Sequence, residues 1–425
     1  MIHDNHYVDD CRFCNVLLFF FDYSHNQYQR YSLIMKYIKN SFFFILVIGV
    51  VFSIQLMSNP LKKEFADAPE GWSSGAKGEG LAYLVGQFDL ISTQLHLKSN
   101  DYIRVLRYAS ESYMRSSYNS IDENNNDAFF ELVKNIIKDD EFSDKLPNSK
   151  SSKSVVEVIE MSKEDGYKES NRFFVRTGSP IDLGVDPALY SWKPDATLGN
   201  EYTPYWGELK LYQEYSCEVG EFPIKTYDEL LNEANTAAKL TVNMFTDDDS
   251  ARIRNLLTHF TSPQNSQPGR VLVSVALNYL SDAKFDKKKS DEFLYNLIRV
   301  IHDTAIIVYG EKYKYQIAHL SDLSTVTTRQ SWLQTRPPFP SEFAAYGEVF
   351  TQLVKKYGTS IPVRLEIPAS EVSVSSTRMY KDASAFAKEL SYAAVLFGHD
   401  YLFSLKEGSE IGGCIANEYN YKIFK

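Results

Sequence analysis

Apolar residues recur at three- and four-residue spacing along most of this chain, a pattern that predicts helices. The first such stretch covers 81–117, and a polar break separates it from a shorter helix over 129–137. The region 180–214 contains prolines and tryptophans but no clear period. We therefore expect a long ordered loop there, packed by its aromatic side chains.

The second half of the chain is more regular. The pattern predicts helices over 271–280, 294–310, 343–356, 381–397 and 406–417. The one alternating stretch of useful length runs from Val363 to Ile367, so strands contribute little. The sequence therefore predicts an all-α protein, a large helical bundle.

One apolar segment near the amino terminus differs from the others. Lys36 and Lys39 precede an uninterrupted apolar run over 42–57, and a basic flank before such a run is typical of an export signal. The run is slightly short for a transmembrane helix, so a cleaved signal and an uncleaved membrane anchor both stay open. A buried helix of the fold is the third interpretation.

These features divide the chain into four predicted parts. Residues 1–34 precede Met35, which starts the signal cleanly, so they form an extension whose translation depends on the start codon. Residues 35–58 are the signal peptide or anchor, 59–80 a polar linker, and 81–425 the helical domain.

Net charge and cysteine content limit the partners and the compartment. The formal net charge is −10 and the isoelectric point about 5.4, so we expect no nucleic-acid partner and membrane contact only through the amino-terminal segment. Cys217 and Cys414 form a disulfide only if the chain is exported, and nothing in the sequence brings them together.

Three short segments in the region 300–425 carry the chemical information. Lys312-Tyr313-Lys314-Tyr315 follows a long apolar helix, Pro337-Pro338-Phe339-Pro340 precedes the next one, and Phe403 with Glu407 to Gly412 comes last. Their order and spacing resemble the vanadium-dependent haloperoxidases and the related type-2 phosphatidic acid phosphatases, in particular the bacterial haloperoxidase-like branch. The resemblance implies their large helical bundle.

Members of that superfamily bind vanadate or phosphate with three motifs, Lys-x6-Arg-Pro, Pro-Ser-Gly-His and Ser-Arg-x5-His. A tetrahedral oxyanion with two or more negative charges needs several cations and hydrogen-bond donors around its oxygens. One histidine is the ligand to vanadium, or the nucleophile of the phosphatases, and a second histidine is the acid–base partner.

The first two motifs are largely replaced in this sequence. Lys312 matches the first cation, but His319 stands where the family has arginine. Ala344, Ala345 and Tyr346 stand where the family has serine, glycine and histidine. The resemblance therefore assigns oxyanion-binding positions to Lys312, His319, Ala344 and Ala345. Tyr346 stands in the place of a catalytic residue.

The third motif is replaced as well. Ala394 stands in the place of its arginine and Asp400 in the place of its last histidine, while His399 lies one residue earlier. Of the positions that carry the chemistry, only Lys312 is retained. We therefore expect a catalytically degenerate site with no bound vanadate, and a binding or structural role with an unknown partner. The resemblance also implies a homodimer.

Two alternatives stay open. One is an active vanadium haloperoxidase or acid phosphatase in which His319, His399 and Arg336 supply the missing groups, and their convergence with Lys312 on a cavity would favour it. The other is a divalent-metal hydrolase that uses His319, His399, Asp400 and Glu348.

Overall fold

The computed structural model describes residues 80–94, 97, 99–118, 125–138, 153–170, 178–193, 203–217, 220–244, 268–324, 336–358, 361–367, 376–396 and 398–423. The predicted extension, the signal or anchor at 42–57, and all of the linker except its last residue lie outside these ranges. None of the helices within the described ranges is both long enough and apolar enough to cross a bilayer.

The amino-terminal part of the described chain is helical. Its helices are α1 (Leu81–Gln94), α2 (Ser99–Tyr118), α3 (Asn125–Ile137), α4 (Lys153–Lys163), α5 (Tyr167–Ser170) and α6 (Tyr227–Met244). Two short 3-10 turns, Pro187–Leu189 and Trp206–Glu208, lie between α5 and α6.

The carboxy-terminal part of the described chain holds its longest helix and one pair of strands. Its elements are α7 (Pro268–Ala283), α8 (Lys287–Tyr315), α9 (Leu320–Leu323), α10 (Glu342–Lys356), β1 (Val363–Ile367), β2 (Ser376–Tyr380), α11 (Ala383–Leu396) and α12 (Leu402–Glu418). The strands pair antiparallel, with Val363 opposite Tyr380 and Ile367 opposite Ser376. The all-α prediction is confirmed.

Most predicted helices appear close to their expected positions, and the differences are local. The stretch 81–117 contains two helices instead of one, α1 and α2. Helices α4 and α6 were not predicted, and neither was β2. The strand over Val363–Ile367 was predicted with the bounds it has in the structure.

Helix α8 is central because other elements pack around it. Its predicted apolar stripe is buried, and so are polar residues on its other faces, such as Asn296 and Thr304. The Asp286 side chain caps its amino terminus by accepting a hydrogen bond from the Lys289 amide. Gln316 ends the helix in a left-handed conformation, φ 49°, which turns the chain sharply.

The predicted aromatic loop packs against this turn. The Trp192 amide donates to the Gln316 carbonyl (2.8 Å), and the Ala318 amide donates to the Tyr190 carbonyl (2.8 Å). The tyrosine and tryptophan of this pairing are buried, as is Trp206 in the following turn. The prediction of an ordered loop packed by aromatic side chains is therefore confirmed for its described residues.

Helix α10 packs closely against both α11 and α12. A Cβ atom on Gly347 would lie 2.9 Å from the Ala387 Cβ in α11. On the other side, a Cβ atom on Gly408 or Gly412 of α12 would overlap the carbonyl oxygen of Ser341 or Ala345. These glycines allow the helix backbones to approach, and they fix the amino-terminal end of α10 in the core.

Candidate functional site

The lysine that matches the first motif lies near the carboxyl-terminal end of α8. Lys312 is fully buried, and its Nζ donates a hydrogen bond of 2.9 Å to the Pro337 carbonyl oxygen. Because Pro337 precedes α10, this bond joins the first predicted motif to the second. The left-handed turn that follows α8 then brings the chain to His319.

Two histidines from distant parts of the sequence meet beside this lysine. The Ser321 amide donates to the Gly398 carbonyl (2.8 Å), which holds the two backbones together. The ring centroids of His319 and His399 are 4.6 Å apart, and both side chains are fully buried. Neither ring nitrogen of His319 has a hydrogen-bond partner among the described residues.

An arginine and a glutamate form an ion pair at the amino terminus of α10. Arg336 and Glu342 are both fully buried, and Arg336 Nη2 contacts Glu342 Oε1. The Ser341 side chain caps the helix by accepting a hydrogen bond from the Ala344 amide. The Ser341 amide in turn donates to the Ser404 carbonyl (3.0 Å), which ties this end of α10 to α12.

The third motif contributes two adjacent side chains. Gly398 has φ +72°, a left-handed conformation that favours glycine. The amides of His399 and Asp400 both donate to the Ala394 carbonyl, at 3.0 and 3.3 Å. His399 Nδ1 contacts Asp400 Oδ1, and both side chains are fully buried. The neighbouring residues therefore both belong to the cluster, whichever of them is aligned with the family histidine.

We call Lys312, His319, Arg336, Glu342, His399 and Asp400 the buried ionisable cluster. Burial lowers the pKa of Lys312 to about 8, although the carboxylates of Glu342 and Asp400 oppose that shift. Arg336 adds to the lowering by charge repulsion. These interactions place the lysine in the electrostatic field of both carboxyl groups.

Burial also shifts the pKa values of both histidines and of Asp400. It lowers the pKa of His319 and of His399 well below the usual imidazole range. It raises the pKa of the Asp400 carboxyl, an effect that nearby Lys312 opposes. At neutral pH both imidazoles are therefore uncharged, and the cluster sets two basic side chains against two carboxyl groups.

The remaining family-equivalent positions form packing surfaces. Ala344, Ala345, Tyr346 and Ala394 are all buried. Ala344 belongs to an apolar core cluster that includes Tyr315, Phe339 and Tyr401. The carbonyl oxygen of Ala345 faces Gly412 in α12, and that of Ala394 holds the third-motif loop.

The sequence pointed to Arg336 as a replacement for a missing family residue, but it did not pair this arginine with Glu342. It also missed the Pro337 carbonyl as the acceptor for Lys312, and Ser341 as the cap of α10. The serine had a recognisable signal, because it precedes a predicted helix directly. No sequence signal pointed to the ion pair, because Arg336 lies in irregular chain and Glu342 lies at the start of a helix.

The metal-hydrolase alternative requires His319, His399, Asp400 and Glu348 to converge. Glu348 is half-buried on α10, and its carboxylate accepts a hydrogen bond from Gln352. Within the described residues, a single group has ligand atoms close enough for a metal ion: Cys217, Cys414 and Glu418. Its two sulfur atoms form a disulfide, so they are not available as thiolate ligands.

Comparison with known proteins identifies the fold. A bacterial vanadium-dependent iodoperoxidase aligns with a TM-score of 0.56 and 13% identity, over 80% of this chain and 96% of that one. Two structures of bacterial vanadium-dependent chloroperoxidase also align. The holo form has a TM-score of 0.53 and 12% identity over 85% of this chain and 95% of its own. The apo form has a TM-score of 0.50 and 11% identity, over 74% and 92%.

No protein-family profile and no curated protein sequence matches the chain. The structural similarity nevertheless covers most of this chain and nearly all of each neighbour. The chain therefore has the fold of the bacterial vanadium-dependent haloperoxidases, as the resemblance predicted. At identities of 11–13% the similarity concerns the fold and leaves activity open.

The cluster does not fit the vanadate that such a fold implies. The Arg336 guanidinium already pairs with Glu342, and the Lys312 amine already donates to a backbone carbonyl. The methyl groups of Ala344 and Ala394 donate no hydrogen bonds. Two carboxyl groups in a dry site repel a multiply charged anion, so the donor set is wrong for a tetrahedral oxyanion.

Proposed function

We propose that this chain is an exported protein that keeps the haloperoxidase fold, has lost oxyanion chemistry, and serves a binding or structural role. The observation that carries the proposal is the buried Arg336–Glu342 ion pair beside Lys312. Groups that would hold an oxyanion are neutralised by the protein's own carboxylate. Losing charged partners in a dry site costs about 2–5 kcal/mol each, so oxyanion affinity is not sustained.

Two observations support export. The basic and apolar pattern of residues 36–57 is typical of a signal. Cys217 and Cys414 form a disulfide, and such bonds persist mainly in oxidising compartments. The protein is either released after cleavage or held at the membrane by residues 42–57. The compartment is periplasmic or extracellular.

The same proposal also makes expectations about the cofactor and the partners of the protein. No bound vanadate is expected, because the cluster supplies the wrong charges. The acidic net charge of −10 disfavours nucleic acid. The structural neighbours do not indicate which molecule this chain binds. The family resemblance implies that it assembles as a homodimer.

The test is a titration of the purified wild-type protein with orthovanadate and with inorganic phosphate by calorimetry. We expect no saturable heat, no peroxide-dependent iodide oxidation and no hydrolysis of p-nitrophenyl phosphate. Saturable vanadate uptake, or turnover that Lys312→Met abolishes, would overturn the proposal.

A quadruple variant provides the positive control. Tyr346→His, Ala394→Arg and Asp400→His return three family residues to their places, and Glu342→Ala removes the carboxylate that pairs with Arg336. If the frame of the site persists, we expect this variant to bind vanadate where the wild type does not. Circular dichroism and a thermal melt establish that the variant is folded.

A residual phosphatase or haloperoxidase is the second candidate, and one observation favours it. His319, His399, Lys312 and Arg336 lie together in the buried ionisable cluster, which meets part of the condition that would favour this alternative, their convergence on a cavity. His319 also has both ring nitrogens without a hydrogen-bond partner in the described part of the chain. Phosphate-ester hydrolysis that His319→Ala and His399→Ala each remove, while Glu348→Ala does not, would establish this function in place of the first.

A further inference from the structure

Glu342 is an unusual residue to find fully buried at the start of a helix. It is the first residue of α10 after the Ser341 cap, and it has no exposed surface. A buried carboxylate is strongly unfavourable unless a charge partner compensates it. Its partner here is Arg336, which is equally buried.

The charge of Glu342 reaches beyond that ion pair. Among the charged groups that act on Lys312, Glu342 has the largest effect. It also acts on the imidazole of His399. One carboxylate therefore interacts with an arginine, a lysine and a histidine, the three side-chain types that hold an oxyanion in a protein site.

We propose that Glu342 is a built-in anion, whose carboxylate occupies the place of a tetrahedral oxyanion beside Arg336 and Lys312. Removing this side chain opens the buried cluster to a small free oxyanion such as inorganic phosphate. This inference rests on the proposed function, because it explains how the chain neutralises its own site.

Glu342 suits this role better than the other carboxyl group of the cluster. Asp400 also interacts with the charges of Lys312 and Arg336, but its Oδ1 contacts the His399 ring. Glu342 instead lies at the amino terminus of α10, where the helix dipole favours a negative charge. His319, whose ring nitrogens have no hydrogen-bond partner among the described residues, offers a further hydrogen-bonding group to an incoming anion.

The test compares Glu342→Ala with the wild type and with Glu348→Ala. The substitution removes a CH₂–COO⁻ group, which corresponds to acetate, and leaves two basic side chains with one carboxyl group fewer. We expect Tm to fall by roughly 5–10 °C in Glu342→Ala, since breaking a buried ion pair is strongly destabilising. Glu348 lies on the same helix outside the cluster, so its variant should melt near the wild type.

Acetate and inorganic phosphate are then added separately, with sodium chloride at matched ionic strength as the reference. We expect each anion to raise the Tm of Glu342→Ala saturably, by several degrees, because a ligand that binds only the folded state stabilises it. The wild type and Glu348→Ala should not respond beyond the chloride reference. A folded Glu342→Ala that responds to neither anion overturns the inference.

Glu342→Ser decides the question if Glu342→Ala does not fold. It removes the charge and frees the space of the carboxylate, and it keeps a polar side chain at the helix start, so a loss of Tm that phosphate partly reverses supports the inference. A wild-type Tm, or a loss that phosphate does not reverse, overturns it. Failure of the proposed function looks different, because the wild type itself would then take up vanadate or show turnover.

Discussion

Buried carboxylates on the central helix are partnered by tyrosine hydroxyl groups. Asp291 accepts hydrogen bonds from Tyr113 and Tyr118, both at 3.0 Å, and Asp303 accepts one from Tyr215 at 2.8 Å. The tyrosine content of 29 residues therefore serves more than core volume. A phenol provides a large apolar ring together with one donor for a buried acceptor.

Replacing Tyr215 with phenylalanine tests this role. Tyr215→Phe leaves Asp303 Oδ2 without that donor, so we expect a loss of about 1–3 kcal/mol in the free energy of unfolding. Urea denaturation measures it. Tyr392→Phe on α11 is the control, because that hydroxyl lies on a partly exposed residue, and it should change stability by less than about 0.5 kcal/mol. Equal losses in both variants would contradict the assigned role.

The buried histidine His302 predicts how stability depends on pH. Burial lowers its pKa to about 4, with Arg107 adding to the shift, whereas an unfolded histidine titrates near 6.5. Between these values the unfolded state binds more protons, so stability falls as pH decreases from 6.5 to 4. His302 should account for about 3 kcal/mol of that loss.

Urea melts of the wild type and His302→Gln at several pH values measure this contribution. Above pH 7 the group is neutral in both states, so the difference between the two proteins should be constant there. Below 6.5 the variant should lose less stability than the wild type. Parallel curves down to pH 4 would show that His302 titrates normally in the fold.

At the residue scale, the sequence named most of the cluster but not its pairing. Lys312, His319, His399 and Asp400 follow from the order and spacing of the three motifs. That Arg336 contacts Glu342 could not be predicted, because the pairing depends on the turn before α10. Whether His399 or Asp400 faces the cluster was also undecidable from spacing, and the structure places both there.

At the scale of elements, strong apolar periodicity made helices predictable. Helix α10 appears within one residue of its predicted range, since apolar residues mark its buried face. Helix α8 is longer than its predicted range of 294–310 at both ends, because the apolar stripe marks only its middle. Helix α6 was missed because its buried stripe is mostly alanine, at 234, 237 and 238, which gives a weak hydrophobic signal. Strand β2 was missed because its sequence, Ser376 to Tyr380, is mostly polar and depends on pairing with β1.

Close packing of α12 against α10 explains glycines in the segment that follows the third motif. A methyl group at Gly408 would overlap the Ser341 carbonyl oxygen at the start of α10, so we expect Gly408→Ala to lose about 1–3 kcal/mol of stability. A methyl group at Gly413 would meet its nearest atom, the Glu348 Cγ, at 3.5 Å. Gly413→Ala is therefore the matched control, and its better helix propensity should stabilise the protein by up to about 1 kcal/mol.

Guanidinium melts of the two alanine variants and the wild type measure the difference. The change in the free energy of unfolding should have opposite signs for the two variants, although both sites lie on the same helix. Stabilisation by Gly408→Ala would show that α12 can move away from α10 without cost. The same helix contact would then not be what fixes Ser341 and Glu342 in the core.

At the scale of the whole molecule, the disulfide joins the irregular segment before α6 to the last helix. Cys217 and Cys414 are separated by 197 residues, and their Cα atoms are 5.8 Å apart. The sequence left this pairing open, because no local pattern relates positions so far apart. The cysteines come together because the 203–217 segment packs beside α12. The same packing is seen where the Gln213 side chain donates to the Glu418 carbonyl oxygen.

The disulfide gives the last prediction, which concerns both stability and compartment. A cross-link that closes so long a loop restricts the unfolded chain, so Cys217→Ser with Cys414→Ser should lose about 2–5 kcal/mol of stability. Dithiothreitol should lower the Tm of the wild type toward that of the double variant and leave the double variant unchanged. Protein isolated from its own cells under iodoacetamide should then show neither cysteine alkylated, because an exported chain is oxidised before lysis. Quantitative alkylation of both sulfurs in freshly lysed cells would mean that the chain resides in a reducing compartment, and the export half of the proposed function would fail.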